Sequence, residues 1–128
     1  MPTPVPTALC LLLCERVEYS SGTVDLIQLI PAVNRTAFPW YFESIAFYAL
    51  LTGLPQFLKV TFQIRDAATR KAIVPPVVVT TGGNDAEEIV NIEGSVEDLM
   101  LPGPGTLLYS LEHEGRVVIQ RSLRCRLI

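Results

Sequence analysis

The sequence predicts an all-β protein, a single antiparallel β-sandwich of about seven or eight strands, of the immunoglobulin or C2 type. Short apolar segments alternate with glycine- and proline-rich turn signals, and the hydrophobic period remains that of a strand up to the last residue. The length of the chain is consistent with this fold, because 128 residues with 49% hydrophobic side chains bury one core without disulfides or a structural metal.

The first half of the chain begins with an arm and two strands. Residues 1–7 contain three prolines, which cannot donate to a β-ladder, so we expect a flexible arm ahead of a single sandwich domain at residues 8–128. The apolar run at residues 8–17 predicts the first strand, and residues 23–30 predict the second. A turn containing Gly22 joins them.

Residues 42–51 fit two structures. Phe42, Ile45, Ala46 and Ala49 follow a helical stripe, whereas the continuous apolarity of the segment fits a strand that is buried on both faces. We favour the strand.

In the second half of the chain the clearest strand pattern is at residues 58–65, where apolar and polar side chains alternate. Two consecutive prolines confine residues 72–80 to a sheet edge or a bulge. Gly94 within residues 86–99 predicts two short strands or one bulged strand. Gly115 predicts a hairpin between the last two strands.

Composition argues against several classes of function. The net charge is −3 and only two of the ten basic residues are lysines, so no nucleic-acid partner is expected. Three cysteines, an odd number, favour reduced thiols in a cytoplasm over a secreted disulfide framework. The apolar run at residues 8–14 is too short for a signal peptide, and residues 38–51 are too short for a membrane span. We therefore expect neither export nor membrane insertion.

Four segments resemble a known family: residues 8–17 with the turn that follows them, Phe38-Pro39, residues 50–53, and residues 102–115. They are similar to a family of uncharacterised small bacterial proteins that consist of a domain of unknown function. The resemblance spans nearly the whole domain and implies an immunoglobulin- or C2-like sandwich. It implies no catalytic residue, cofactor or substrate.

No catalytic or metal-binding constellation is found in the sequence. His113 is the single imidazole and lies beside the predicted hairpin, where we expect a surface histidine. No nucleophile motif accompanies it, the aspartates are scattered, and the cysteines lack zinc-ligand spacing. We expect no catalytic residue, no cofactor and no metal.

The charges are segregated along the chain. Residues 85–98 hold six acids and no base, whereas residues 115–128 hold four arginines and no acid. Two interpretations fit this pattern: solvated faces that partly neutralise each other, or an electrostatically guided contact with a partner or a second copy. The candidate interface residues are Glu93, Glu97, Arg121, Arg124 and Arg126.

Six aromatic residues lie within positions 38–48, and most of them are expected in the core. Trp40 and Tyr41, if exposed, would anchor a protein interface or stack on a sugar. The leading hypothesis is a non-enzymatic protein-interaction or assembly module of a bacterial cytoplasm, whose partner is an unknown protein or a second copy. The alternative is a small-ligand or carbohydrate-binding sandwich that uses these two aromatics.

Overall fold

The computed structural model describes residues 6–53, 57–82 and 87–128, and for Leu58 it describes the backbone alone. These residues form nine β-strands and no helix, which confirms the all-β prediction. The strands are β1 (Thr7–Ser20), β2 (Thr23–Leu29), β3 (Ala32–Arg35), β4 (Trp40–Thr52), β5 (Leu58–Asp66), β6 (Val77–Thr81), β7 (Val90–Leu101), β8 (Gly105–His113) and β9 (Arg116–Leu127). The arm predicted for residues 1–7 falls mainly on residues 1–5, which lie outside the described residues.

Two sheets make up the fold, and one of them curls into a half-barrel. The four-stranded sheet has the order β2-β1-β4-β7, and the five-stranded sheet has the order β3-β9-β8-β5-β6. Strand β4 confirms the strand that we favoured for residues 42–51, so the helical alternative is wrong. Strand β6 follows the two prolines and forms a sheet edge, as predicted.

The topology corrects two predictions. The sheets are not wholly antiparallel, because β3 pairs parallel to β9. The described strands number nine rather than seven or eight, because β3 was not foreseen. This strand has four residues, too few to show a hydrophobic period, and it is the segment that carries the chain from the four-stranded sheet to the five-stranded one.

Two hairpins close with two-residue turns. Ser21 and Gly22 join β1 to β2 with φ angles of 47° and 83°, and Glu114 and Gly115 join β8 to β9 with φ angles of 51° and 77°. Positive φ at both central positions is what a type I′ turn requires, and its twist matches that of the flanking strands. The turn signals at both glycines are therefore confirmed.

The core lies between the inner faces of the two sheets. Alternate residues of most strands supply it, although β2 supplies none, and its largest fully buried side chains are Phe47, Phe62, Leu11, Leu13, Ile45, Leu51, Ile64, Leu99, Leu101, Leu111 and Leu123. The rings of Phe47 and Phe62 stack across the two sheets, with centroids 4.1 Å apart and planes inclined by 12°.

The β1–β2 hairpin folds back over one face of the four-stranded sheet. Strand β1 pairs with β4 only as far as Cys14, and beyond that residue it pairs with β2 alone. At the far end of this ribbon the Tyr19 hydroxyl accepts a hydrogen bond of 3.2 Å from the Asn91 side chain of β7, although β4 separates the two strands in the sheet. The departure of the ribbon from β4 leaves a space beside the first half of β4.

Candidate functional site

A groove of about 670 Å³ occupies the space between the base of the β1–β2 hairpin and the first half of β4. Strands β1 to β4 contribute to its wall, and β7 contributes Glu97. We name it the aromatic–acidic groove after six of its lining residues: Trp40, Tyr41, Phe42, Glu15, Glu43 and Glu97.

Trp40 is held in a fixed orientation at this groove. The guanidinium carbon of Arg35 lies 4.4 Å from the centroid of the Trp40 ring, and Phe42 meets that ring edge-on with centroids 6.5 Å apart. Arg35 also donates a hydrogen bond of 2.9 Å from its Nη1 atom to the carbonyl of Asn34. Trp40 still exposes 37% of its surface, so it is an ordered aromatic side chain that faces solvent.

Tyr41 is the second exposed aromatic, with 47% of its surface accessible. Its hydroxyl donates a hydrogen bond to the carboxylate of Asp98, and this bond raises the pKa of the Tyr41 phenol above its ordinary value. Asp98 therefore fixes the ring of Tyr41 in the way that Arg35 fixes Trp40.

The groove is lined by three glutamates and two arginines, so it holds more carboxylates than cationic side chains. Glu15 is 3.4 Å from the Arg16 guanidinium, but Arg16 also makes a closer contact of 2.7 Å with Glu18. Glu97 accepts a hydrogen bond of 3.1 Å from the Ser44 hydroxyl. Within the described part of the chain neither Glu43 nor Glu97 forms an ion pair. Two carboxylates at an aromatic surface are thus available to a cation from outside.

Backbone strain is also found at the aromatic–acidic groove. Among the described residues five other than glycine have positive φ, and three of these, Ser21, Arg70 and Glu114, lie in connections between strands. The other two, Gln28 in β2 and Asp98 in β7, have φ angles of 54° inside strands. Gln28 lines the groove and Asp98 binds Tyr41. Strained backbone positions cluster at functional sites, so the coincidence favours this groove over the others.

The structure gathers some of the predicted interface residues and separates the rest. Trp40, Tyr41 and Glu97 all line the groove. Glu93 lies elsewhere on β7, opposite Tyr48 in the ladder. Glu93 is exposed, and burial followed by the Glu93 carboxylate raises the pKa of the Cys14 thiol and of the Tyr19 phenol.

The three candidate arginines lie on the five-stranded sheet. Arg124 and Arg126 are exposed and alternate with the buried Leu123 and Cys125, so both point outward from the sheet. Arg121 projects to the opposite face, beside Tyr109, where the inner face is left uncovered. This arrangement explains why Arg121 interrupts the apolar period of β9.

Three acids of the acidic stretch make no direct ion pair with the basic stretch in the described residues. Glu93, Glu97 and Asp98 lie on the four-stranded sheet, and none of them forms an ion pair with an arginine of β9. Asp85, the first acid of the acidic stretch, falls outside the described residues.

His113 does not lie on the surface, and that prediction is wrong. The residue is 6% exposed, and its Nδ1 atom lies 3.1 Å from the carbonyl oxygen of Lys59 on β5. Its position in β8 continues the inward alternation of Tyr109 and Leu111, which outweighs its nearness to the hairpin. No cluster of three or more potential metal ligands occurs in residues 6–53, 57–82 and 87–128.

Four groove residues could not be recognised from the sequence: Glu15, Gln28, Arg35 and Glu43. They come from four different strands, and only the folding-back of the hairpin brings them together. The density of aromatic residues after residue 37 was the one local signal of this site.

Comparisons with known proteins do not assign the site. No protein-family model matches the chain, and no curated protein is significantly similar to it in sequence. Nor does any helix in the described part of the chain have the length and apolarity needed to cross a membrane.

Proposed function

We propose that this protein is a non-enzymatic protein-interaction or assembly module that binds a basic segment of a protein partner in the aromatic–acidic groove. The observation that carries the proposal is the juxtaposition of two fixed, exposed aromatic side chains, Trp40 and Tyr41, with two carboxylates, Glu43 and Glu97, that form no ion pair among the described residues.

The chemistry of this juxtaposition suits a protein partner. Aromatic side chains that are already ordered lose little conformational entropy on binding and dominate the energetics of interfaces. Carboxylates beside them attract lysine or arginine side chains, whose long apolar stems pack against aromatic rings. A segment that alternates basic and apolar residues satisfies both requirements.

The arrangement favours a protein over a sugar. Sugar stacking needs an open aromatic face, and the Arg35 guanidinium already covers one face of Trp40. The carbohydrate-binding alternative therefore has less of the surface that it needs.

The type of sandwich and the location of the protein are part of the same proposal. We propose an immunoglobulin- or C2-like sandwich related to the small bacterial proteins that the sequence resembles, supported by the two-sheet fold and by the β8–β9 hairpin after the proline-glycine turn. We propose a bacterial cytoplasm as its location, supported by three free cysteines in the described residues.

The experiment uses Trp40 as its reporter, because this residue is the only tryptophan of the chain and lies in the groove. The protein is titrated with two synthetic peptides of equal length, one alternating arginine with leucine and one alternating glutamate with leucine, while tryptophan emission is followed. We expect saturable binding of the arginine peptide alone, weakened by salt.

A pair of matched variants locates the binding. E43Q/E97Q removes two carboxylates from the groove and should weaken binding of the arginine peptide at least about tenfold, since charge-assisted contacts each contribute about 1.5–3 kcal/mol. E93Q/E114Q removes two carboxylates outside the groove and should leave the affinity unchanged. Equal responses to both peptides, or equal affinities of both variants, would contradict the proposal, and a response to sugars instead would favour the alternative.

A further inference from the structure

We infer that the partner that fits the aromatic–acidic groove is a second copy of this chain, which docks through Arg124 and Arg126 of β9. This inference rests on the proposed function and names its partner. It makes the protein a head-to-tail assembly module.

The basic surface on β9 has the form that the groove requires. Arg124 and Arg126 are two residues apart on one strand, so their Cα atoms lie about 7 Å apart and their side chains leave the same face. Neither forms an ion pair in the described part of the molecule. Because β8 and β3 flank β9 on both sides, the backbone that presents this pair of charges is already ordered before binding.

The two charged surfaces make no ion pair with each other within one protomer among the described residues. The groove is built on the four-stranded sheet with Ala32 and Arg35 of β3, and the two arginines point outward from β9, which is the ladder neighbour of β3. Each copy therefore offers an acidic surface and a basic surface that lie on either side of β3. A head-to-tail contact between such surfaces joins copies into a ring or a filament, and a reciprocal contact closes a two-fold dimer.

The first test measures molar mass in solution by sedimentation or light scattering over a range of protein and salt concentrations. At low salt and high protein concentration we expect the weight-average mass of the wild type to rise to at least about twice the 14.1 kDa of one chain and to fall again as salt is added. R124E/R126E should remain at the mass of one chain. R116E/R121E makes the same change in net charge away from this face of β9 and should associate as the wild type does.

The second test exchanges the charges. E43R/E97R alone should also remain monomeric, because its groove and its β9 are both basic. An equimolar mixture of E43R/E97R with R124E/R126E should associate, since the basic strand of the first fits the acidic groove of the second and the reverse contact is equally complementary. All four substituted residues are exposed, and unchanged circular dichroism and urea midpoints verify that the variants fold.

The outcomes separate this inference from the proposed function. A wild type that stays at one chain mass under all conditions, or a mixture that fails to associate while the wild type does, overturns docking through Arg124 and Arg126. If the arginine peptide still binds near Trp40 in that case, the groove keeps its proposed function and has another partner. If the peptide also fails to bind, both proposals fall.

Discussion

The ring of Phe47 lies directly over Gly94, its partner on the neighbouring strand β7. A Cβ atom at residue 94 would come within 2.6 Å of the Cε1 atom of Phe47. The same ring stacks on Phe62 of the other sheet at 4.1 Å. Gly94 thus makes room for the aromatic pair that joins the two sheets, and β7 continues through it without a register shift, so the break or bulge predicted at Gly94 is wrong.

Replacing Gly94 with alanine should destabilise the fold by about 1–3 kcal/mol, because the new methyl group displaces a ring that is packed on both sides. Urea unfolding of G94A against the wild type measures this loss. S95A on the exposed face of the same strand is the control and should change the free energy of unfolding by less than about 0.5 kcal/mol. A G94A protein as stable as S95A would show that the ring moves aside freely.

The elements that could be predicted from sequence are those whose signals are local. The alternation in β5 and the glycine turn between β8 and β9 are visible within a few residues, and both are present in the structure. Strand β3 could not be predicted, since its partner β9 lies far along the chain and parallel pairing leaves no turn signal.

The candidate site was predictable to a smaller extent. Trp40 and Tyr41 could be singled out because aromatic residues are dense around them. Glu15 and Arg35 could not, because the groove exists only after the β1–β2 hairpin has left β4 and folded back. The segregation of charge along the chain was visible in the sequence. The position of β9 in its sheet decides which arginines share a face, and the sequence does not show that position.

The buried cysteines should resist alkylation. Burial raises the pKa of the Cys14 and Cys125 thiols, and the Glu93 carboxylate raises that of Cys14 further, so little thiolate forms at neutral pH. Native protein treated with iodoacetamide should be modified first at the half-buried Cys10, and at the other two only after urea unfolds it. Peptide mapping by mass spectrometry measures the order. Modification of Cys14 at the rate of Cys10 would contradict its burial.

Asp66 should make stability depend on acid pH. Hydrogen bonds from the backbone N–H groups of Thr69 and Ala68, at 2.9 and 2.8 Å, lower the pKa of its carboxyl. A folded-state pKa below the unfolded one means that the stabilisation is present above the unfolded value of about 3.9 and is lost as the pH falls through the folded value. The difference in unfolding free energy between wild type and D66A should shrink across that window. A difference that is constant from neutral pH to pH ~2 would refute the assignment.

His113 should be a single tautomer when its ring is neutral. Its Nδ1 atom lies 3.1 Å from the Lys59 carbonyl, which only accepts hydrogen bonds, so Nδ1 carries the proton. Its Nε2 atom is buried and has no hydrogen-bond partner among the described residues. Long-range nitrogen–proton NMR correlations distinguish the two tautomers. Observation of a protonated Nε2 with a bare Nδ1 would show that the ring has another orientation.

Gln28 holds positive φ inside β2, at the wall of the aromatic–acidic groove, and glycine should relieve the strain there. Left-handed backbone costs a residue with a side chain about 1–2 kcal/mol, whereas glycine in an ordinary strand position costs about 0.5–1 kcal/mol. Q28G should therefore be as stable as the wild type or up to about 1 kcal/mol more stable. Gln120→Gly on β9, which lacks positive φ, is the control and should lose stability in the same urea titration. Equal losses in the two variants would mean that the backbone at residue 28 stores no strain and that the groove owes its shape to the packing of its side chains alone.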